Sequence, residues 1–142
     1  MPEIEEVTRT KRVLVVEDQA VDRLLFEDSL KTIYELDTAT DSETALARLD
    51  SPSQPVIDLL LLDLKLPRRF GQEDTKEEGY RIIEHVLGKE GGRSPEIVVV
   101  SNYLTPDDRQ RLYQLGVRHM LPKRVTDEQL HATVAGALKP AA

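Results

Sequence analysis

Ile57-Asp58-Leu59-Leu60-Leu61-Leu62-Asp63-Leu64-Lys65-Leu66-Pro67 decides how this chain is read: an almost wholly apolar run of strand length stops at a carboxylate. A short run without polar alternation suits a strand buried on both faces of a parallel sheet. The pattern recurs on either side. Val13-Leu14-Val15-Val16 stops at Glu17-Asp18, and Ile97-Val98-Val99-Val100 stops at Ser101. Tyr34 to Ala39 and Val117 to Leu121 are weaker runs, read as the second and fifth strands.

Helical signals fill the intervals. Ile82, Ile83, Val86 and Leu87 share one face of a helix expected to begin near Gly79, and Leu130, Val134 and Leu138 form a similar stripe. Thr105-Pro106 reads as an N-cap and first-turn proline, with Asp107 and Asp108 favourable to the helix dipole. Thr126 and Gln129 fit a capping box, and Asp41 or Ser42 starts a short helix through Leu49. Gln19 to Ile33 is only loosely amphipathic; it is assigned a helix because a parallel crossover needs one there. The alternation predicts a doubly wound α/β fold around a five-stranded parallel sheet. One domain is expected over residues 11–138, with tails at 1–10 and 139–142 and no residues left for an output domain.

The segment Arg68 to Glu78 does not fit a minimal unit, being charged and long for a strand-to-helix loop. It reads either as a solvated mobile loop or as a lid or partner-docking loop beside the site.

Composition removes several classes of function. A net charge of −7 over 142 residues disfavours a general nucleic-acid or anionic-membrane surface. No apolar run approaches the roughly 20 residues of a membrane span, and the acidic N-terminus is not a signal segment. The absence of cysteine rules out disulfides, thiol catalysis and Cys-based zinc sites, while His85, His119 and His131 are scattered. The expectation is a cytoplasmic protein with no nucleic-acid or membrane partner.

Ligands of an open parallel sheet bind outside the carboxyl ends of its strands. Glu17 and Asp18, Asp63, Ser101 and Lys123 all follow strands and therefore converge on one edge. Two carboxylates about 4 Å apart repel by roughly 4 kcal/mol at an effective dielectric of 20, which a cation relieves. An all-oxygen, carboxylate-rich site selects a hard ion such as Mg²⁺. Beside such an ion Asp63 could attack phosphorus, with Ser101 and Lys123 holding phosphoryl oxygens.

In the order and spacing of these residues the chain resembles the receiver domain of two-component response regulators, from about Lys11 to Leu138. Val-Val-Glu17-Asp18, Leu-Leu-Asp63-Leu-Lys-Leu-Pro67, Val-Val-Ser101 and Gly116 seven residues before Lys123 carry the likeness. The resemblance implies a flavodoxin-like sheet of order 2-1-3-4-5, here with an extended connection between the third strand and third helix. It implies Asp63 as phosphoacceptor, Ser101 as switch hydroxyl and Lys123 as phosphate partner. Mg²⁺ would be held by Glu17, Asp18, Asp63 and the backbone carbonyl of Lys65. The phosphoryl donor would be a phosphohistidine on a sensor kinase or phosphotransfer protein. The output would pass by protein contact through the face of the fourth helix, fifth strand and fifth helix. Such a protein is a switch rather than an enzyme, although it catalyses its own phosphorylation and dephosphorylation, and is a monomer or weak homodimer.

Four positions depart from the family pattern. Met120 stands where an aromatic relay residue is usual, leaving Tyr103 as a candidate for a related role. Arg124 follows Lys123 in place of a proline, so a trans bond is expected there, since a cis bond to a non-proline residue costs about 2.5 to 4 kcal/mol. Asn102 follows the switch hydroxyl, where it either restricts access to Asp63 or merely caps a loop. The Arg68 to Glu78 segment is the fourth. Besides the phosphorylation switch, two readings stay open: a receiver-like binding module independent of phosphorylation, and a phosphohydrolase with an Asp nucleophile. Lys65 weighs against the hydrolase, because such enzymes need a second carboxylate at that position.

Overall fold

Four consecutive leucines, each at most 1% exposed, form the centre of the sheet, β3 (Leu59–Leu62). The computed structural model describes residues 10–88 and 94–139. Around β3 lie β1 (Arg12–Val16), β2 (Glu35–Ala39), β6 (Glu96–Ser101) and β7 (His119–Pro122), all parallel, in the order β2-β1-β3-β6-β7. Counting only these five strands the order is 2-1-3-4-5, the flavodoxin-like arrangement. Two short strands, β4 (Leu66–Pro67) and β5 (Asp74–Thr75), pair with each other outside it.

Strand side chains alternate between the two faces, and each face has its own helices. Leu14, Val16, Leu60, Leu62 and Val99 pack beneath α2 (Ser42–Asp50), α3 (Lys76–Gly88) and α4 (Pro106–Leu115). Val13, Val15, Leu59, Leu61, Val98 and Val100 pack beneath α1 (Ala20–Leu30) and α5 (Asp127–Leu138). Covering both faces explains the unbroken apolar runs, and each buried Leu or Val contributes about 1.5–3 kcal/mol.

Helix starts follow their caps. The Asp41 carboxylate accepts from Thr44 N–H, and complete capping boxes join Thr105 to Asp108 and Thr126 to Gln129. The first helix has no side-chain cap at Gln19, consistent with its weak sequence signal. Pro122 is accommodated because β7 is an edge strand, where a missing donor costs no ladder bond on the open side.

Three expectations are corrected. The third helix begins at Lys76, one turn before Gly79, because β5 ends at Thr75 and passes straight into it. Arg68 to Glu78 is accordingly not a free loop. Leu66 pairs with Thr75 and Pro67 with Asp74, and a tight turn closes through Gln72 N–H to Arg69 O, 3.0 Å, with Gly71 at φ 92°. The hairpin rests on the start of α2 through Glu43 N–H to Arg68 O and Phe70 N–H to Asp41 Oδ2. Leu87 is not on the buried face of α3: it is 41% exposed, and the face consists of Gly79, Tyr80, Ile82, Ile83 and Val86. Of the expected tails, residues 1–9 and 140–142 lie outside the described residues.

Gly79 has a packing role that its place inside a helix conceals. Its N–H donates to Leu64 O at 3.0 Å, and a Cβ there would overlap the backbone of Leu64. The glycine lets α3 lie directly on the chain leaving β3.

Candidate functional site

The carboxyl ends of β1, β3, β6 and β7 bring the expected residues together. Glu17 N–H donates to Ala39 O, and Asp63 N–H donates to Val16 O at 3.1 Å, so both acids are held by backbone bonds that extend the sheet ladder. Lys123 N–H donates to Ser101 O at 2.8 Å and sets the lysine in the same way. Glu17, Asp63, Ser101 and Lys123 are all buried.

Lys123 Nζ lies 2.9 Å from Asp63 Oδ2, 2.8 Å from Glu17 Oε1 and 3.2 Å from Asp22 Oδ2. The contact to Glu17 is close but poorly aligned for a hydrogen bond, so it acts mainly through charge. Burial opposes the charge on Lys123, yet its interactions with the carboxylates of Glu17 and Asp63 outweigh burial and raise its pKa. Burial pushes Glu17 up to about 7, with the Asp63 charge adding to it. Burial likewise raises Asp18 to about 6, helped by the neighbouring carboxyl of Asp74.

The donor set fits a hard divalent cation. Glu17, Asp18 and Asp63 each offer an oxygen, and these atoms lie within 4.8 Å of one another. Asp18 Oδ1 is buried without a hydrogen-bond partner, because the group beside it, Asp74, is another acceptor. Carboxylate oxygens crowded in this way satisfy the preference of Mg²⁺ for all-oxygen ligands. The chain turns sharply after Asp63, with Lys65 N–H 3.3 Å from Asp63 Oδ1, which keeps residue 65 at the site.

Above the acids opens a cleft of about 540 Å³ lined by Asp18, Asp63, Lys65, Ser101, Asn102, Tyr103 and Lys123. Asn102 and Tyr103 are exposed at its mouth. Met120 is not in this lining; half-buried, it packs against the core beneath α2, α3 and α4. The Lys123–Arg124 bond is trans, as expected, and Arg124 takes up the turn at φ 68°.

Asp22, Asp74 and Lys76 also belong to the cleft and were missed in the sequence. Asp22 is four residues after Asp18, a helical spacing that could have signalled it. Asp74 and Lys76 reach the cleft through the hairpin register, which no sequence periodicity announces.

Comparison with known proteins agrees with this geometry. Residues 13–135 match the family model of the response regulator receiver domain. The two-component response regulator ARR22 of Arabidopsis thaliana is 26% identical over 134 residues, covering 93% of this chain and 87% of its own length. The phosphorylated cyanobacterial phytochrome response regulator RcpA is 26% identical with a TM-score of 0.70, covering 90% of this chain and 91% of its own. A CheY-like receiver domain protein of Methanospirillum hungatei shares the fold, with 21% identity, a TM-score of 0.75 and coverage of 92% and 94%. The chain belongs to the response regulator receiver domain family, the phosphorylation-dependent switches of two-component signalling.

Proposed function

We propose that the protein is a single-domain response regulator that accepts a phosphoryl group on Asp63 from a phosphohistidine of a sensor kinase or phosphotransfer protein. The observation that carries this reading is the contact of Lys123 Nζ with Asp63 Oδ2 at 2.9 Å, beside the acidic group of Glu17 and Asp18. An Asp63 carboxylate oxygen forms the new bond to phosphorus, while the phosphorus–nitrogen bond of the donor breaks and the imidazole keeps its electron pair. Ser101 and Lys123 bind the transferred oxygens. Glu17, Asp18, Asp63 and the Lys65 carbonyl would hold Mg²⁺, which would supply neutralisation of charge on the phosphoryl oxygens.

Val21, Leu24 and Leu25 support a protein as donor. They are exposed, lie at helical spacing on α1, and flank Asp22 at the cleft. The output surface is the face of α4, β7 and α5, with Asn102, Tyr103 and Met120 as the residues that relay to it. The protein acts in the cytoplasm as a monomer or weak homodimer.

Intact mass after incubation with Mg²⁺ and acetyl phosphate tests the reading. One phosphoryl group is expected on the wild type and none on Asp63→Asn. One observation favours a second reading, a binding module independent of phosphorylation: Met120 packs half-buried against the core and does not line the cleft. A wild type that takes no phosphoryl group but binds its partner would establish that alternative.

A further inference from the structure

The cleft holds a second ammonium with a different set of commitments from Lys123. Lys123 already faces Asp63, Glu17 and Asp22, as many carboxylates as an ammonium has N–H donors. A phosphoryl group on Asp63 adds about −1.5 to −2 charges to this crowd. Lys76, the first residue of α3, lines the same cleft as Asp63 and Ser101. It is held there from both sides: Thr75 is locked in the hairpin by its pairing with Leu66, and Gly79 lies on Leu64, the residue after Asp63.

Among the described residues Lys76 has one carboxylate partner, Asp108 Oδ2 at 2.5 Å, and its Nζ lies 5.6 Å from the Tyr103 ring centre. Asp108 does not depend on that lysine alone. Tyr80 Oη–H donates to Asp108 Oδ1 at 2.8 Å, and Thr105 N–H donates to Oδ2 at 3.1 Å. Lys76 can therefore turn towards the cleft while the partly buried Asp108 carboxylate keeps two donors, which avoids the cost of a charge left unpaired away from water. Lys123 has no such freedom.

We propose that Lys76 is a second phosphoryl-binding cation, shared between the phosphorylated Asp63 and Asp108 at the start of α4. The inference rests on Asp63 being the phosphoacceptor and adds a binding residue contributed by the hairpin. It also places charge at Asp63 in direct competition for a partner of the α4 capping box.

The test is the acetyl phosphate concentration that half-saturates phosphorylation, read by intact mass in Mg²⁺. Lys76→Met is expected to raise it by on the order of fivefold, a charged hydrogen bond discounted for solvent, and Lys76→Arg to restore it. Asp108→Asn frees the lysine while keeping a capping side chain, and is expected to lower it. A merely structural ion pair would move Lys76→Met and Asp108→Asn in the same direction, which overturns the proposal. So does an effect of Lys65→Met equal to that of Lys76→Met, since net charge would then account for both. Should Lys76→Met fail to fold, Asp108→Asn decides alone, and an unchanged or raised value overturns the inference. Phosphorylated wild type with an unaltered Lys76→Met removes this inference only. A wild type that gains no phosphoryl group removes the phosphoacceptor reading as well.

Discussion

Lys123 Nζ and Asp63 Oδ2 are 2.9 Å apart, although the residues are separated by 60 positions and their strands by the whole of β6. The pair is buried, and Glu17 stands in contact with the same ammonium. Removing the cation leaves these acids facing each other. Lys123→Met is therefore expected to cost about 3 kcal/mol near neutral pH, the usual penalty for an uncompensated buried charge. Mg²⁺ should recover part of it. Urea unfolding with EDTA or with Mg²⁺ measures both, and an unchanged midpoint in EDTA would contradict the electrostatic account.

The acids themselves predict a pH dependence. Glu17 is raised from 4.5 to about 7 and Asp18 from 3.8 to about 6, so the fold holds their protons more tightly than the unfolded chain does. Their contribution to stability is complete below the unfolded values and is lost as pH rises through about 6 and then 7. Asp108 behaves oppositely, being lowered to about 2 because the hydrogen bonds from Lys76, Thr105 and Tyr80 outweigh its burial; its contribution is lost only in acid. From about pH 5 to about pH 8 the melting temperature in EDTA should fall through these two acids, while the stabilisation by Mg²⁺ grows. A thermal-shift series over that range checks it; a Mg²⁺ effect largest at the acid end would refute it.

Gly79→Ala should be destabilising despite the better helix propensity of alanine. The added Cβ meets the Leu64 backbone, so α3 must move away from β3, at about 2 kcal/mol for an overpacked contact. Because α3 starts at Lys76, the cleft should change with it. Chemical unfolding reads the cost, and wild-type stability in the variant would show that α3 shifts freely.

Arg124 lies at φ 68°, a left-handed conformation that costs an ordinary residue about 1–2 kcal/mol. Arg124→Gly should leave the fold equally stable or up to about 1 kcal/mol more stable, strain relief being offset by unfolded-chain entropy. Arg124→Pro fixes φ near −65°, so the backbone that aims Lys123 has to rearrange. That variant should lose most phosphoryl uptake. Calorimetry and intact mass compare the two, and equal uptake would show that Lys123 is aimed without help from Arg124.

The sequence by itself determined the sheet and its principal acids. Val13 to Val16, Leu59 to Leu62 and Ile97 to Val100 were legible because strands covered on both faces have no polar alternation. Each also ends where the ligand edge begins, so Glu17, Asp18, Asp63, Ser101 and Lys123 could be named from their order along the chain. Only the tertiary structure decided that Asp22, Asp74 and Lys76 join them, that Lys76 meets Asp108, and that α3 begins before Gly79. The two-residue strands β4 and β5 are too short to show a period, and their register is set by contacts with α2 and α3. The charged hairpin looked like a loop because what orders it lies elsewhere in the chain.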